Sequence, residues 1–193
     1  MPKLNGKTII ITGASKGIGE ATARYLAELG GMVFLAARSF LEITRISEEI
    51  KAKGGYAYPI ACDVSDYQQV KATIALVTKK TQRLDLLVNN AGLIEPIAKI
   101  ADSDPESWSH VIDVNYKGVY YGLHAALPIM LKQQAGTIIN LSSGAAESAL
   151  EAWSHYCSSK AAVYSLTRCA DREYRQAGIR VIGIGPGTVA TPM

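Results

Sequence analysis

Short apolar runs and amphipathic stretches alternate along the chain. Lys7–Thr12 (KTIIIT) is β-branched and apolar almost throughout, the pattern of a strand buried on both faces. A helical stretch follows from Gly17 to Leu29 and stops at Gly30-Gly31. Met32–Ala37 (MVFLAA) reads as a second buried strand, and Ser39 with Glu42 forms a capping box for a helix that ends near Gly54-Gly55. Tyr56–Cys62 is a third strand. Asp66 with Gln69 caps a helix reaching Lys80, and Leu84–Asn89 (LDLLVN) is a fourth strand. Asp104 and Pro105 supply an N-cap and a first-turn proline for a long helical region to Gln134. Pro128 is expected to kink that region, because it has no N–H to donate. Gly136–Ser142 (GTIINLS) is a fifth strand, Trp153–Ala177 a helix stopped by Gly178, and Ile179–Ile184 a sixth strand.

Strands joined by helices require right-handed crossovers, hence a parallel sheet with helices on both faces. Ligands of such a sheet bind beyond the carboxyl ends of its strands, where the strand order reverses. A length of 193 residues suits one α/β domain spanning 1–193.

Composition narrows the function classes. Hydrophobic residues make up 48% and charged residues 19%, which is globular rather than disordered. The net charge of +3 is spread over helices that also carry acids, so no nucleic-acid partner is expected. No apolar run approaches the ~20 residues that span a bilayer, and Met1–Gly6 lacks the basic-then-apolar order of a leader. Cys62, Cys157 and Cys169 are odd in number and have no metal or redox spacing. His110, His124 and His155 form no ligand cluster, so no metal is expected. Reduced thiols fit a cytoplasmic setting.

The candidate chemistry begins after the first strand, in Thr12-Gly13-Ala14-Ser15-Lys16-Gly17-Ile18-Gly19. A glycine-rich turn between a strand and a helix lets the backbone approach a pyrophosphate, and the helix start aims free N–H groups at its charge. The spacing is Gly-x-x-x-Gly-x-Gly rather than the commoner Gly-x-Gly-x-x-Gly, and a plain tight turn is the competing account. Further along come Asn89-Asn90-Ala91-Gly92 at the fourth strand end and Asn140-Leu141-Ser142-Ser143 at the fifth. Tyr156-Cys157-Ser158-Ser159-Lys160 follows on a helix, and Pro186-Gly187 after the sixth strand. In this order the set resembles the short-chain dehydrogenase/reductase family, over essentially the whole chain.

The resemblance implies a doubly wound Rossmann-type sheet with strand order 3-2-1-4-5-6 and a nicotinamide cofactor. That cofactor would lie against Gly13, Ser15, Lys16, Gly17, Ile18 and Gly19, then Arg38, Asp63 and Val64. It would continue along Asn90, Ala91 and Gly92 to Tyr156, Lys160, Pro186, Gly187 and Val189. Asp63 would accept from the adenine amino group, although a turn or cap role serves the residue as well. Asn89 to Gly92 would shape the wall near the adenine ribose, a role that is partly structural. A carboxylate after the second strand would bond the ribose of NAD and repel a 2′-phosphate. The chain has Ala37-Arg38-Ser39 there, with Lys16 in the glycine turn, so NADP(H) is preferred and NAD(H) is the alternative. Arg38 stacking on the adenine or facing water is the competing account.

Tyr156 and Lys160 are four apart on a helix, hence on one face, and an ammonium beside a phenol lowers its pKa from about 10. Standing alone, the pair would be an ordinary exposed helix face. The resemblance makes Tyr156 the acid–base group that interconverts a carbonyl and a secondary alcohol, with Lys160 also holding the nicotinamide ribose. It makes Ser143 the hydrogen-bond partner of the substrate oxygen and Asn115 the holder of a water linking Lys160 to solvent. Asn115 could equally mark a helix irregularity. His155 and Cys157 face other sides of the helix and take no chemical role. Gly144–Ser154 is expected to line a largely apolar pocket that leaves the substrate unnamed.

The chain departs from the family pattern after Thr191-Pro192-Met193, where relatives continue into a lid and a seventh strand. The sixth strand is then expected at an open edge, with a mobile or removed tail, a covering partner or a naturally short enzyme as explanations. The family associates through the helices 105–134 and 153–177, so a homodimer or homotetramer is expected. A dinucleotide-binding redox-sensing module without turnover is the rival reading. A methyltransferase on a similar sheet would give Tyr156 and Lys160 no role.

Overall fold

The computed structural model describes residues 4–187 and 189. Met1–Lys3 and Thr191–Met193, on which the leader and tail expectations bear, lie outside the described residues. Six strands form one parallel sheet: β1 (Thr8–Thr12), β2 (Met32–Ala37), β3 (Tyr56–Ala61), β4 (Leu86–Asn89), β5 (Gly136–Leu141) and β6 (Ile179–Ile184). Their order is β3-β2-β1-β4-β5-β6, as the sequence reading expects. The helices are α1 (Gly17–Glu28), α2 (Phe40–Ala52), α3 (Tyr67–Thr81), α4 (Pro105–Ile112), α5 (Gly118–Gln133) and α6 (Ser154–Tyr174).

The two-residue period of a strand explains why β1 is apolar at every inner position. Ile9 and Ile11 pack with Ala23 and Ala27 of α1 and Ile43, Ile46 and Ile50 of α2 on one face. Ile10 packs with Ile74 and Val77 of α3, Leu123 of α5 and Val163 of α6 on the other. Each of these three isoleucines is almost fully buried and contributes about 2 kcal/mol. The chain crosses from β3 back to β4 beside β1, so the strand order reverses between β1 and β4 and opens a crevice at their carboxyl ends.

Several local expectations change. Ser39 precedes α2 but makes no side-chain cap bond, and Glu42 pairs along the helix with Arg45 instead of reaching back to it. Asp66 does cap α3, accepting from the amides of Gln68 and Gln69, while Gln69 Oε1 accepts from the Asp63 amide. The fourth strand begins at Leu86, since the Leu84 amide and carbonyl are bonded to the Gln133 side chain. The helical region 105–134 is interrupted at a π-helical turn, Asp113–Lys117, and stays helical through Pro128. The break falls where Asn115 is pulled into the core, which is a tertiary demand rather than a proline effect. The α6 helix ends at Tyr174, tightens into a 3₁₀ turn at Arg175–Ala177, and stops at Gly178 with φ +80°. Among the described residues β6 is an edge strand, with Ile182 and Ile184 exposed.

Candidate active site

A cleft of about 740 Å³ lies across the carboxyl ends of the strands, a size that suits a small organic ligand. Its floor at β1 is the glycine turn. Gly13 has φ +64° and Gly17 has φ +57°, backbone that side chains resist. A methyl group at Gly13 would stand 2.7 Å from the Ala91 Cα, so the turn and the β4 end touch backbone to backbone. Thr12 and Asn90 fasten this contact. The Asn90 and Ala91 amides donate to Thr12 Oγ1 at 3.0 and 3.2 Å, and Asn90 Nδ2 donates to the Thr12 and Gly13 carbonyls at 2.9 and 3.1 Å. No side chain caps the start of α1 at Lys16, leaving the first amides of the helix available to an anion.

Gly13, Ser15, Lys16, Gly17, Ile18, Arg38, Asp63, Val64, Asn90, Ala91, Gly92, Pro186, Gly187 and Val189 all line the cleft, as do Ser143, Tyr156 and Lys160. Two expected site residues stand behind its wall. Gly19 is buried against the Gly13 carbonyl, where it permits α1 to pack close. Asn115 is fully buried in the π turn. Its Oδ1 accepts from the Leu93 amide at 2.7 Å, and its Nδ2 donates to the Leu93 carbonyl at 2.9 Å and Ser159 Oγ at 3.1 Å. Both amide protons are therefore committed, one to the loop after β4 and the other to α6.

The electrostatics of the cleft follow from burial. Lys160 is 5% exposed, and desolvation pushes its ammonium down to about 8. Its Nζ donates to the Leu141 carbonyl at 2.8 Å and lies 5.6 Å from the Tyr156 ring centroid. Ser143 Oγ accepts from the Ala145 amide at 3.2 Å, which orients its hydroxyl at the end of β5. Burial pushes the Asp63 carboxyl up, but the Ser65 hydroxyl and amide and the charges of Arg38 and His110 outweigh it, so the group stays below the usual carboxylate range. Burial pushes the Cys62 thiol up, which leaves it a neutral lining group. Arg38 is exposed and joins no ion pair among the described residues.

Sequence reasoning missed part of the site: Leu93, Ile94 and Leu141 add apolar wall. Trp153, inside the expected pocket segment, meets Tyr156 edge to face at 5.6 Å. Of the Gly144–Ser154 segment, Gly144, Ala145, Leu150 and Trp153 line the cleft, whereas Glu151 turns out to Lys99 at 3.0 Å. A buried chain runs beneath the site: Asn89 Nδ2 donates to Asn140 Oδ1, and Asn140 Nδ2 to Thr167 Oγ1, both at 2.9 Å. It ties β4, β5 and α6 together under Tyr156 and Lys160. Paired polar residues inside two buried strands are the signal that could have exposed it.

Comparison with known proteins agrees with this arrangement. The family model described as short chain dehydrogenase matches residues 7–193. The chain is 40% identical, along its full length and 73% of the relative, to oxidoreductase UcpA of Salmonella typhimurium. It is also 40% identical, over 97% of its length and 76% of the relative, to the 3-oxoacyl-[acyl-carrier-protein] reductase FabG of Staphylococcus aureus. A metagenomic short-chain oxidoreductase solved in complex with NADP superposes with a TM-score of 0.92 at 38% identity, covering 96% of this chain and 84% of that one. No helix among the described residues is long and apolar enough to cross a membrane. With the strand order and the family model in agreement, the chain belongs to the short chain dehydrogenase family of oxidoreductases.

Proposed function

We propose that this chain is an NADP(H)-dependent oxidoreductase that interconverts a carbonyl and a secondary alcohol, with Tyr156 as the acid–base group. The observation that carries the reading is the Lys160 ammonium beside the Tyr156 ring, inside the cleft that begins at the glycine turn. The residues fit a dinucleotide. Gly13 and Gly17 shape a turn that admits a diphosphate, and the uncapped start of α1 offers amides to it. Lys16 and Arg38 line the same end and can pair with a 2′-phosphate, which favours NADP(H) over NAD(H). Asp63 is held ionised and can accept from the adenine amino group. When bound, the nicotinamide ring supplies or accepts the hydride.

The protein's own task is the proton. In reduction Tyr156 Oη donates a proton to the carbonyl oxygen, and in oxidation it takes one from the alcohol. The resulting phenolate is stabilised by the Lys160 ammonium. Ser143 Oγ hydrogen-bonds the substrate oxygen and fixes it toward Tyr156. Lys160 would also hold the ribose hydroxyls of the cofactor. Asn115 positions the wall through Leu93; with its amide protons committed, a relay water would donate to one of its oxygens. The helices α4, α5 and α6 are the surfaces through which we expect a homodimer or homotetramer.

The test is turnover of a panel of aryl ketones, alkyl ketones and β-keto esters with NADPH and with NADH. Reduction of at least one compound, faster with NADPH, is expected. Tight NADPH binding with no turnover across the panel would replace this reading with a redox-sensing module.

A further inference from the structure

Two loops wall the end of the cleft beyond β4 and β5, and both rest on the start of α6. Leu93 and Ile94 come from one loop, Leu150 and Trp153 from the other. Lys16, Arg38 and Asp63 follow β1, β2 and β3, so their charges belong to the opposite end. The outer ends of the two loops are joined by the Ala98 amide donating to the Ala152 carbonyl at 3.1 Å and by the Lys99–Glu151 ion pair at 3.0 Å. On the inner side Asn115 holds Leu93, and His155 holds the next residue: its Nε2 stands 2.5 Å from the Ile94 carbonyl oxygen.

A carbonyl only accepts, so Nε2 carries a proton and donates to it. The ring's Nδ1 is buried with no partner among the described residues, on a side chain 1% exposed. An apolar residue would fill this place without the cost of a buried, unpaired polar atom. What the imidazole alone provides is the fixed position of the Ile94 carbonyl. Consecutive helix residues project about 100° apart, so His155 reaches the loop while its neighbour Tyr156 lines the cleft.

We propose that His155 is a positioning residue for the substrate wall. By tying Ile94 to α6 beside the Trp153–Tyr156 corner, it sets the fit of the apolar substituent of the carbonyl compound. The inference rests on the oxidoreductase reading above. Shifting Ile94 changes the pocket and leaves the glycine turn, Arg38 and the Tyr156–Lys160 pair where they are.

The experiment compares wild type, His155→Gln and His155→Asn, using NADPH and the ketone that wild type reduces fastest in the panel. The glutamine amide nitrogen reaches the place of Nε2, and that of asparagine stops short, near Nδ1. His155→Asn is expected to raise the ketone KM about 10-fold, with kcat within about 3-fold and the Kd of NADPH within about 2-fold of wild type. His155→Gln is expected to restore KM to within about 3-fold. An unchanged KM in His155→Asn, a glutamine variant no better than asparagine, or an equal loss of NADPH affinity overturns the inference. So does an asparagine variant that fails to fold, since the tie would then serve stability alone. A wild type that reduces no ketone fails the oxidoreductase reading itself and this inference with it. Wild-type turnover with no KM change in His155→Asn removes the inference and leaves that reading standing.

Discussion

The Lys160 ammonium lies 5.6 Å from the centroid of the Tyr156 ring, on the cleft-lining face of α6. Four-residue spacing puts both side chains on one face, and the Leu141 carbonyl bond fixes the ammonium from the β5 side. The phenol is therefore next to a cation that has little water to screen it.

Removing the phenol oxygen tests this arrangement most directly. Tyr156→Phe keeps the ring, its edge contact with Trp153 and the packing of α6. Carbonyl turnover is expected to fall about 10³-fold, with the Kd of NADPH within about 2-fold of wild type. Steady-state kinetics and fluorescence titration measure the two quantities. Residual turnover close to wild type removes Tyr156 from the chemistry.

The proposed preference for NADP(H) rests on Arg38, just after β2. Arg38→Asp places a carboxylate where it repels a 2′-phosphate and suits a ribose diol. The ratio of kcat/KM for NADPH to that for NADH is expected to fall about 10²-fold. An unchanged ratio means Arg38 does not touch the phosphate.

The glycine turn gives a prediction that joins folding and binding. Gly13→Ala forces a methyl group into φ +64° and to 2.7 Å from the Ala91 Cα. The β4 end must move away, at a cost of about 1–3 kcal/mol in stability. The amides that face the diphosphate move with it, so NADPH affinity is expected to fall at least about 10-fold. A thermal melt and a binding titration read the two effects. A variant with wild-type Tm and Kd contradicts the close approach.

The sheet was legible because its signals are local. The Ile9-Ile10-Ile11 run declares burial on both faces, and Gly30, Gly54 and Gly178 end their helices with positive φ. The site motifs were legible because each falls at a strand end or on the helix beside it. The π turn was legible only as one alternative for Asn115, because what draws that residue out of register is Leu93, a partner 22 residues away in the loop after β4. The Asn89–Asn140–Thr167 chain was hidden for the same reason, since nothing near Asn89 in sequence names Asn140 as its partner. Thr12 belongs by sequence to the phosphate turn, yet its hydroxyl accepts from the Asn90 and Ala91 amides and joins β1 to the loop after β4. Lys16, by contrast, is legible by charge but makes no side-chain cap.

Burial of Lys160 carries a pH signature in stability, separate from catalysis. Desolvation pushes the folded-state value down to about 8, from 10.5 for a solvated lysine. Between those two values the unfolded chain holds a proton that the folded chain has released. Unfolding free energy therefore rises with pH across that window, by at most about 3 kcal/mol, and below the folded value the buried ammonium remains a standing cost. Other lysines and tyrosines titrate in the same range, so the measurement is a difference. Lys160→Met lacks the group but keeps the stem volume. The Leu141 carbonyl left without its donor adds a cost that does not vary with pH. Urea unfolding of the cofactor-free proteins from pH 7 to pH 10.5 is expected to show the wild type gaining on the variant as pH rises. A difference that stays flat means the lysine is either solvated or already neutral at pH 7, and in either case Tyr156 lacks an unscreened cation beside it.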